Sequence, residues 1–245
     1  MTSQNTHQRT RIKICGLTRE QDVDAAVSAG ADAVGFVLYP PSPRYVTPQR
    51  AAELARRLPP FVTPVLLFVN ESAINVIAAC AYVPNATAQF HGEESPADCW
   101  AASANGTRPY LRAARIPLDD SQPFDLLKFV FDYATAQAIL LDAHVEGFGG
   151  GGKTFNWSRL PPSVSSHLVL SGGLTPANVT DGILQVRPRA LSLSVDVSSG
   201  VEISATGGAT LKGIKDTAKI HQFVAAVRAA DLQFAKYHHE DLPTT

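Results

Sequence analysis

Absences narrow this sequence before any motif does. Only three of its 245 residues are cysteine, Cys15, Cys80 and Cys99. An odd, unpatterned set sets aside a disulfide framework and suits a reducing, cytoplasmic compartment. No apolar run approaches the roughly 18 residues that would span a bilayer, and the opening MTSQNTHQRTR lacks the apolar stretch of a secretory signal. Without such a signal, N-x-[ST] matches such as Asn85-Ala86-Thr87 are chance. Charge is sparse and balanced: 21 Lys and Arg against 22 Asp and Glu, a formal net charge of −1. That balance provides no general pull toward nucleic acid or an anionic membrane. A small-molecule pocket is the better expectation, on a monomer or a homodimer. No clustered Cys/His/Asp/Glu spacing suggests a metal, and the doublet His238-His239 sits in a polar tail.

What is present is a regular alternation from residue 11 to about 230. Eight short runs read as strands: 11–15, 33–37, 64–69, 86–90, 109–116, 138–142, 167–171 and 190–197. They are mostly apolar on both faces, as buried parallel strands are. Amphipathic segments lie between them, among them 19–30, 48–58 and 175–186, the last opening Thr175-Pro176 as an N-cap followed by an N1 proline. Eight strands and about eight helices fill one (β/α)8 TIM barrel; the rival is a doubly wound open sheet. The position of the unusual residues favours the barrel. Polar or glycine-rich clusters follow nearly every strand, from Cys15-Gly16 round to Ser198-Ser199-Gly200. Barrels build sites from many strand ends, whereas an open sheet concentrates chemistry at one switch point. The expected organisation is a tail over 1–10, a catalytic barrel over 11–230 and a tail over 231–245.

The stretch GFGGGGKT at 147–154 satisfies two phosphate-loop patterns on paper. Both need a helix directly after the loop, and Pro161-Pro162 leaves room for barely one turn. A mobile lid over 147–152 fits better. The phosphate signal lies in LSGGLTPANV (170–179) and VDVSSGVE (195–202), where small residues follow strands 7 and 8, the usual barrel phosphate position. Gly172, Gly173, Ser198, Ser199 and Gly200 are the expected cradle.

Cys15 ends strand 1. A lone cysteine is usually a small apolar filler, and Cys80 and Cys99 read that way; at a barrel mouth a thiolate is the alternative. Lys13, two residues earlier, would supply part of the field if it shares that face. Asp142 follows the apolar AILL with little structural reason to be there. Strands 1 and 6 lie apart on the ring, so these two groups can face each other as base and acid. Arg44, in a loop stiffened by three prolines, is positioned to take a carboxylate. His91 follows strand 4, either to bond substrate or to satisfy its loop.

These residues together resemble the phosphoribosylanthranilate isomerase family of tryptophan biosynthesis. The matching strings are KICGLT (13–18), GADAVGFVLYPPSPRYV (30–46), FVN (68–70), QFHG (89–92), LLD (140–142), GGKTFNW (151–157), LSGGLTPANV (170–179) and VDVSSGVE (195–202). The resemblance implies a cofactor-free Amadori rearrangement of N-(5-phosphoribosyl)anthranilate to 1-(2-carboxyphenylamino)-1-deoxyribulose 5-phosphate. It implies Asp142 as general acid, Cys15 as general base, Arg44 at the anthranilate carboxylate, and the two small-residue loops at the phosphate. Phe90 stands where the family usually has leucine, Gly151 replaces a small hydroxyl residue, Ala143-His144 follows the acid, and 203–216 is longer than usual. The rivals are the related histidine-pathway aminoaldose-ketose isomerase, whose substrate carries two phosphates, and a non-catalytic phosphate-binding barrel.

Overall fold

In the computed structural model, which describes residues 9–119, 121–144, 153–204 and 210–240, eight parallel strands close on themselves. They are β1 (Arg11–Cys15), β2 (Ala33–Val37), β3 (Thr63–Phe68), β4 (Thr87–Phe90), β5 (Tyr110–Pro117), β6 (Ala138–His144), β7 (Val164–Leu170) and β8 (Ala190–Val197). Closure comes from β1, which pairs with β2 through Cys15 and Gly35 and with β8 through Lys13 and Asp196. An open sheet would leave β1 or β8 an edge. The barrel reading holds.

Helices α1 (Glu20–Ala29), α2 (Pro48–Ala55), α3 (Ala73–Ala81), α4 (Pro96–Ala102) and α5 (Leu126–Asp132) follow the first five strands. A single 3-10 turn, Trp157–Arg159, precedes β7, followed by α6 (Val179–Val186) and α7 (Thr217–Glu240). That lone turn is all the chain allows after Lys153-Thr154, so no helix stands ready to receive a nucleotide phosphate. The glycines of the expected lid, 147–152, lie outside the described residues.

Starts and stops follow local chemistry. Thr47 caps α2 by accepting from the Arg50 N–H, with Pro48 at the first position. The expected start of α6 moves. Thr175 and Pro176 form a turn, the Asn178 side chain accepting from Thr175 N at 2.8 Å, and the helix begins at Val179.

Ordered structure reaches further into both expected tails than composition suggested. Thr10 is buried, its N–H and hydroxyl donating to Asp231, which also pairs with Arg187. Helix α7 runs on to Glu240, and past 230 its Asp231 and Phe234 meet Thr10 and Arg187, just before β1 and β8. Segment 203–216 contributes a short antiparallel pair, β9 (Glu202–Ser204) with β10 (Thr210–Lys215).

One continuous apolar layer, including Ile12, Ile14, Phe36, Phe68, Phe90, Leu141, Leu170, Val195 and Phe223, fills the space between barrel and helices. Strand alternation turns their neighbours inward. Among those inward positions are Lys13, Cys15, Gln89, Asp142 and Asp196, beside apolar ones such as Leu67 and Leu140.

Candidate active site

Eight of the nine residues expected in the site line one cavity at the C-terminal rim: Cys15, Arg44, His91, Asp142, Gly172, Gly173, Ser198 and Ser199. Gly200 does not line it. A Cβ there would meet the Leu174 carbonyl oxygen at 1.9 Å, so Gly200 lets the loop after β8 pack on the loop after β7.

The base position is crowded with charge. Lys13 lies on the same inward face as Cys15, as hoped for a thiolate field, and its Nζ donates to Asp196 Oδ1 at 2.9 Å. Burial works against the ammonium, but the Asp196 carboxylate and Cys15 outweigh it and hold Lys13 up at about 12. For Cys15 the balance tips the other way. Burial raises the thiol above its ordinary range, and the pull of Lys13 offsets only part of that. The expected field is present, yet it does not by itself make a thiolate. Gly35 on the adjoining strand leaves the room, since a Cβ there would stand 2.7 Å from the Cys15 sulfur.

The acid position is built from neutral partners. Asp142 is buried; its Oδ1 accepts from the Ala143 N–H at 3.0 Å, and its Oδ2 lies 2.8 Å from His91 Nε2. Gln89, two residues before His91 on β4, places Nε2 at 3.0 Å from His91 Nδ1. With the amide so oriented, Nδ1 accepts and Nε2–H donates to the carboxylate. His91 therefore orients Asp142 rather than merely satisfying its loop. Gly172 keeps the far side clear: a Cβ there would stand 2.8 Å from Asp142 Oδ1.

Arg44 is placed differently from the expectation of a free guanidinium. Its Nε and Nη2 donate to Glu202 at 2.7 and 2.8 Å, a buried bidentate pair. Glu202 also accepts from Gly213 N–H at 2.9 Å and Lys215 Nζ at 3.2 Å. Burial alone would raise the Glu202 carboxyl, but Arg44 and Lys215 hold it below the ordinary range. Lys215 in turn donates to the Ser198 carbonyl at 2.9 Å, tying β10 to the expected phosphate loop. Burial pulls the Lys215 amine below its usual value, partly countered by Glu202. Of the five guanidinium N–H groups, Glu202 takes one from Nε and one from Nη2; those of Nη1 are the ones that face away from this pair.

Gly173 also has a different reason for being glycine. Its backbone lies in the left-handed region, with φ 64°, and a Cβ would stand 2.4 Å from the Lys153 carbonyl carbon. The clash of a larger residue would be with the chain leaving 147–152, not with a ligand. Composition did not single out Gln89, Asp196, Glu202 or Lys215. Asp196 and Gln89 carried a signal, a charged or amide side chain at an inward position near the C-terminal end of its strand.

Comparison with known proteins then bears on the chemistry. Residues 12–226 match the family model described as N-(5′-phosphoribosyl)anthranilate (PRA) isomerase. The N-(5′-phosphoribosyl)anthranilate isomerase of Leptothrix cholodnii is 60% identical over 223 residues, 91% of this chain and 93% of the relative. The chain belongs to this family. The crystal structure of the Thermotoga maritima phosphoribosyl anthranilate isomerase superposes with a TM-score of 0.73 at 37% identity, covering 90% of this chain and 99% of that one. A phosphoribosyl anthranilate isomerase in complex with reduced 1-(o-carboxyphenylamino)-1-deoxyribulose 5-phosphate superposes at 0.69 and 35% identity, covering 90% and 99%. Family membership disfavours the two-phosphate and non-catalytic rivals. Among the described residues no group of three or more His, Cys, Asp or Glu is placed to hold a metal, and no helix is long and apolar enough to cross a membrane.

Proposed function

We propose that this chain isomerises N-(5′-phosphoribosyl)anthranilate to 1-(o-carboxyphenylamino)-1-deoxyribulose 5-phosphate, with Asp142 as general acid and Cys15 as general base. The observation that carries the role assignment is that both side chains open on one cavity, between small-residue loops suited to a phosphate.

Each turnover takes one proton from Asp142 and puts one on Cys15, and proton exchange through solvent then resets both groups. Asp142 donates its proton to the ribose ring oxygen as the C1′–O4′ bond breaks and the anilino nitrogen pushes its lone pair into a C=N bond. The Cys15 thiolate then takes the proton from C2′, leaving an enolamine whose tautomerisation gives the ketone. The reactive form has its proton on Asp142 and its charge on sulfur. Lys13 beside Cys15 favours that charge, and His91 holds the carboxyl group in line for proton transfer.

The phosphate sits against the backbone amides at 172–173 and 198–199, and Arg44 Nη1 meets the anthranilate carboxylate. The reaction needs no cofactor. The three free, buried cysteines support a reducing cytoplasm as the compartment.

The test is a fluorescence assay of phosphoribosylanthranilate disappearance, with the labile substrate generated in situ. Wild-type protein should consume it and Asp142→Asn should not. Undiminished turnover by that variant would remove Asp142 from the mechanism.

A further inference from the structure

An eight-stranded ring has a second position like the phosphate cradle, half a turn away, at the ends of β3 and β4. The backbone repeats there. Two residues past the end of β7 is Gly172, with φ 76°; two residues past the end of β3 is Asn70, with φ 51°. A non-glycine residue rarely adopts that conformation. The loop after β4 supplies Gly92, whose missing Cβ would stand 2.8 Å from the Asn70 nitrogen. The amides of Asn70 and Gly92 are thus brought together much as an anion cradle requires.

This cradle is already full. Glu94 is buried, and its Oε1 accepts from Asn70 N–H at 2.8 Å while Oε2 accepts from Gly92 N–H at 2.9 Å. Arg112 completes the site, its Nη1 lying 3.2 Å from Glu94 Oε2. The same guanidinium donates to the carbonyls of Phe90, Gly92 and Glu94 and lies 4.9 Å from the Tyr133 ring centroid, so it is fixed in place. Two convergent amides and a buried arginine are the donor set that binds a phosphate.

We infer that Glu94 is a built-in anion occupying a second phosphate site, and that by filling it Glu94 restricts this barrel to substrates with one phosphate. The inference deepens the reading of a singly phosphorylated substrate and rests on it only for the specificity claim. A substrate with a phosphate at each end would have to displace a carboxylate that holds two buried amides and pairs a buried arginine.

Removing the carboxylate should reopen the site. The test compares wild type, Glu94→Gln and Glu94→Ala, using inorganic phosphate and formate as probes. Phosphate stoichiometry is measured by calorimetry, and melting temperature is followed as each anion is added. Glu94→Ala should bind one phosphate more per chain than wild type. Its melting temperature should climb about 5–10 °C more than that of wild type at phosphate a hundredfold above Kd. Formate, which replaces the lost carboxylate, should rescue its stability, and Glu94→Gln should fold without added anion.

The difference between variant and wild type tests Glu94, whereas the wild-type count tests the β7–β8 cradle. One bound phosphate in the variant against none in wild type would sustain Glu94 and sink the cradle. Equal counts in variant and wild type would overturn the inference. So would a Glu94→Ala protein that refolds from urea in neither buffer, phosphate nor formate.

Discussion

The two ends of the proposed proton path are built on opposite principles. At the β4–β6 end, Asp142 is held by neutral donors, a backbone N–H and the His91–Gln89 pair, all within 3.0 Å. At the β1–β8 end, Cys15 sits beside Lys13 and Asp196 and within the field of Lys215, with burial opposing its charge. The contacts of Asp142 aim the carboxyl group without setting a charged side chain beside it. A thiol must be pushed toward its anion, which needs an uncompensated positive charge, and buried ammonium needs a partner of its own. Asp196 is that partner, and its own charge opposes the thiolate. The pair Lys13–Asp196 therefore sets how much thiolate the site can hold.

The largest effect should come from breaking either end. Asp142→Asn keeps shape but has no acidic proton, and general acid catalysis contributes about 10²–10⁴-fold. Cys15→Ser should lose turnover on a similar scale while folding normally. Because the two groups act in successive steps and the slower step sets the rate, the double variant should be scarcely slower than the worse single one. Multiplying losses in the double variant, measured by single-turnover fluorescence, would show that both groups act on one step.

Next is the field at the β1 end. Lys13→Met leaves Asp196 buried and unpaired, and breaking a buried pair in this way costs about 3–5 kcal/mol of stability. Adding Asp196→Asn should restore most of that loss in a urea titration. The double variant should still alkylate Cys15 more slowly than wild type at any fixed pH, since the lowering influence of Lys13 is gone. Faster alkylation in the double variant would make Asp196, rather than Lys13, the group in control.

Arg44 gives a smaller effect. Arg44→Lys loses the planar fork that holds Glu202 and the donor left for a substrate carboxylate, so KM should rise by about 1–3 kcal/mol with kcat little changed. Glu202→Gln should move KM in the same direction, by releasing Arg44 and Lys215. If Glu202→Gln leaves KM alone, Arg44 is held by its proline-rich loop and the ion pair is incidental.

The barrel itself was legible in the sequence because most strands are largely apolar runs followed by polar or small residues, and the strand ranges agree within a few residues. Cys15, Asp142 and the small-residue loops were legible for a related reason: each breaks the apolar rule at a strand end. Partners were not legible. Arg44 and Glu202 are 158 positions apart, and no local pattern tells whether a buried arginine faces substrate or its own carboxylate. Lys13 was rightly placed on the face of Cys15. Spacing alone did not reveal Asp196 across the β1–β8 seam, nor that burial outweighs the lysine. Glycine was legible as special but not for the right cause at Gly173, where the neighbour is the Lys153 backbone.

The smallest effect isolates the thiol in the resting protein. Cys15 is raised in the folded state, so folding favours its protonated form. The sign follows: this contribution is intact below the ordinary thiol value of 9.0 and is lost as pH rises beyond it. Lys13, raised to about 12, acts in the same direction but later, and Lys215, pulled down by burial, opposes it. Comparing wild type with Cys15→Ala removes the lysine contributions common to both. Above pH 9 the wild-type stability should fall more steeply than that of the variant, by at most about 1.4 kcal/mol per pH unit, the limit for one proton. Urea titrations at stepped alkaline pH measure it. Parallel curves would mean that Cys15 is no harder to ionise folded than unfolded. The Lys13 field would then already match burial in the empty site, and the two ends of the proton path would differ less than their geometry implies.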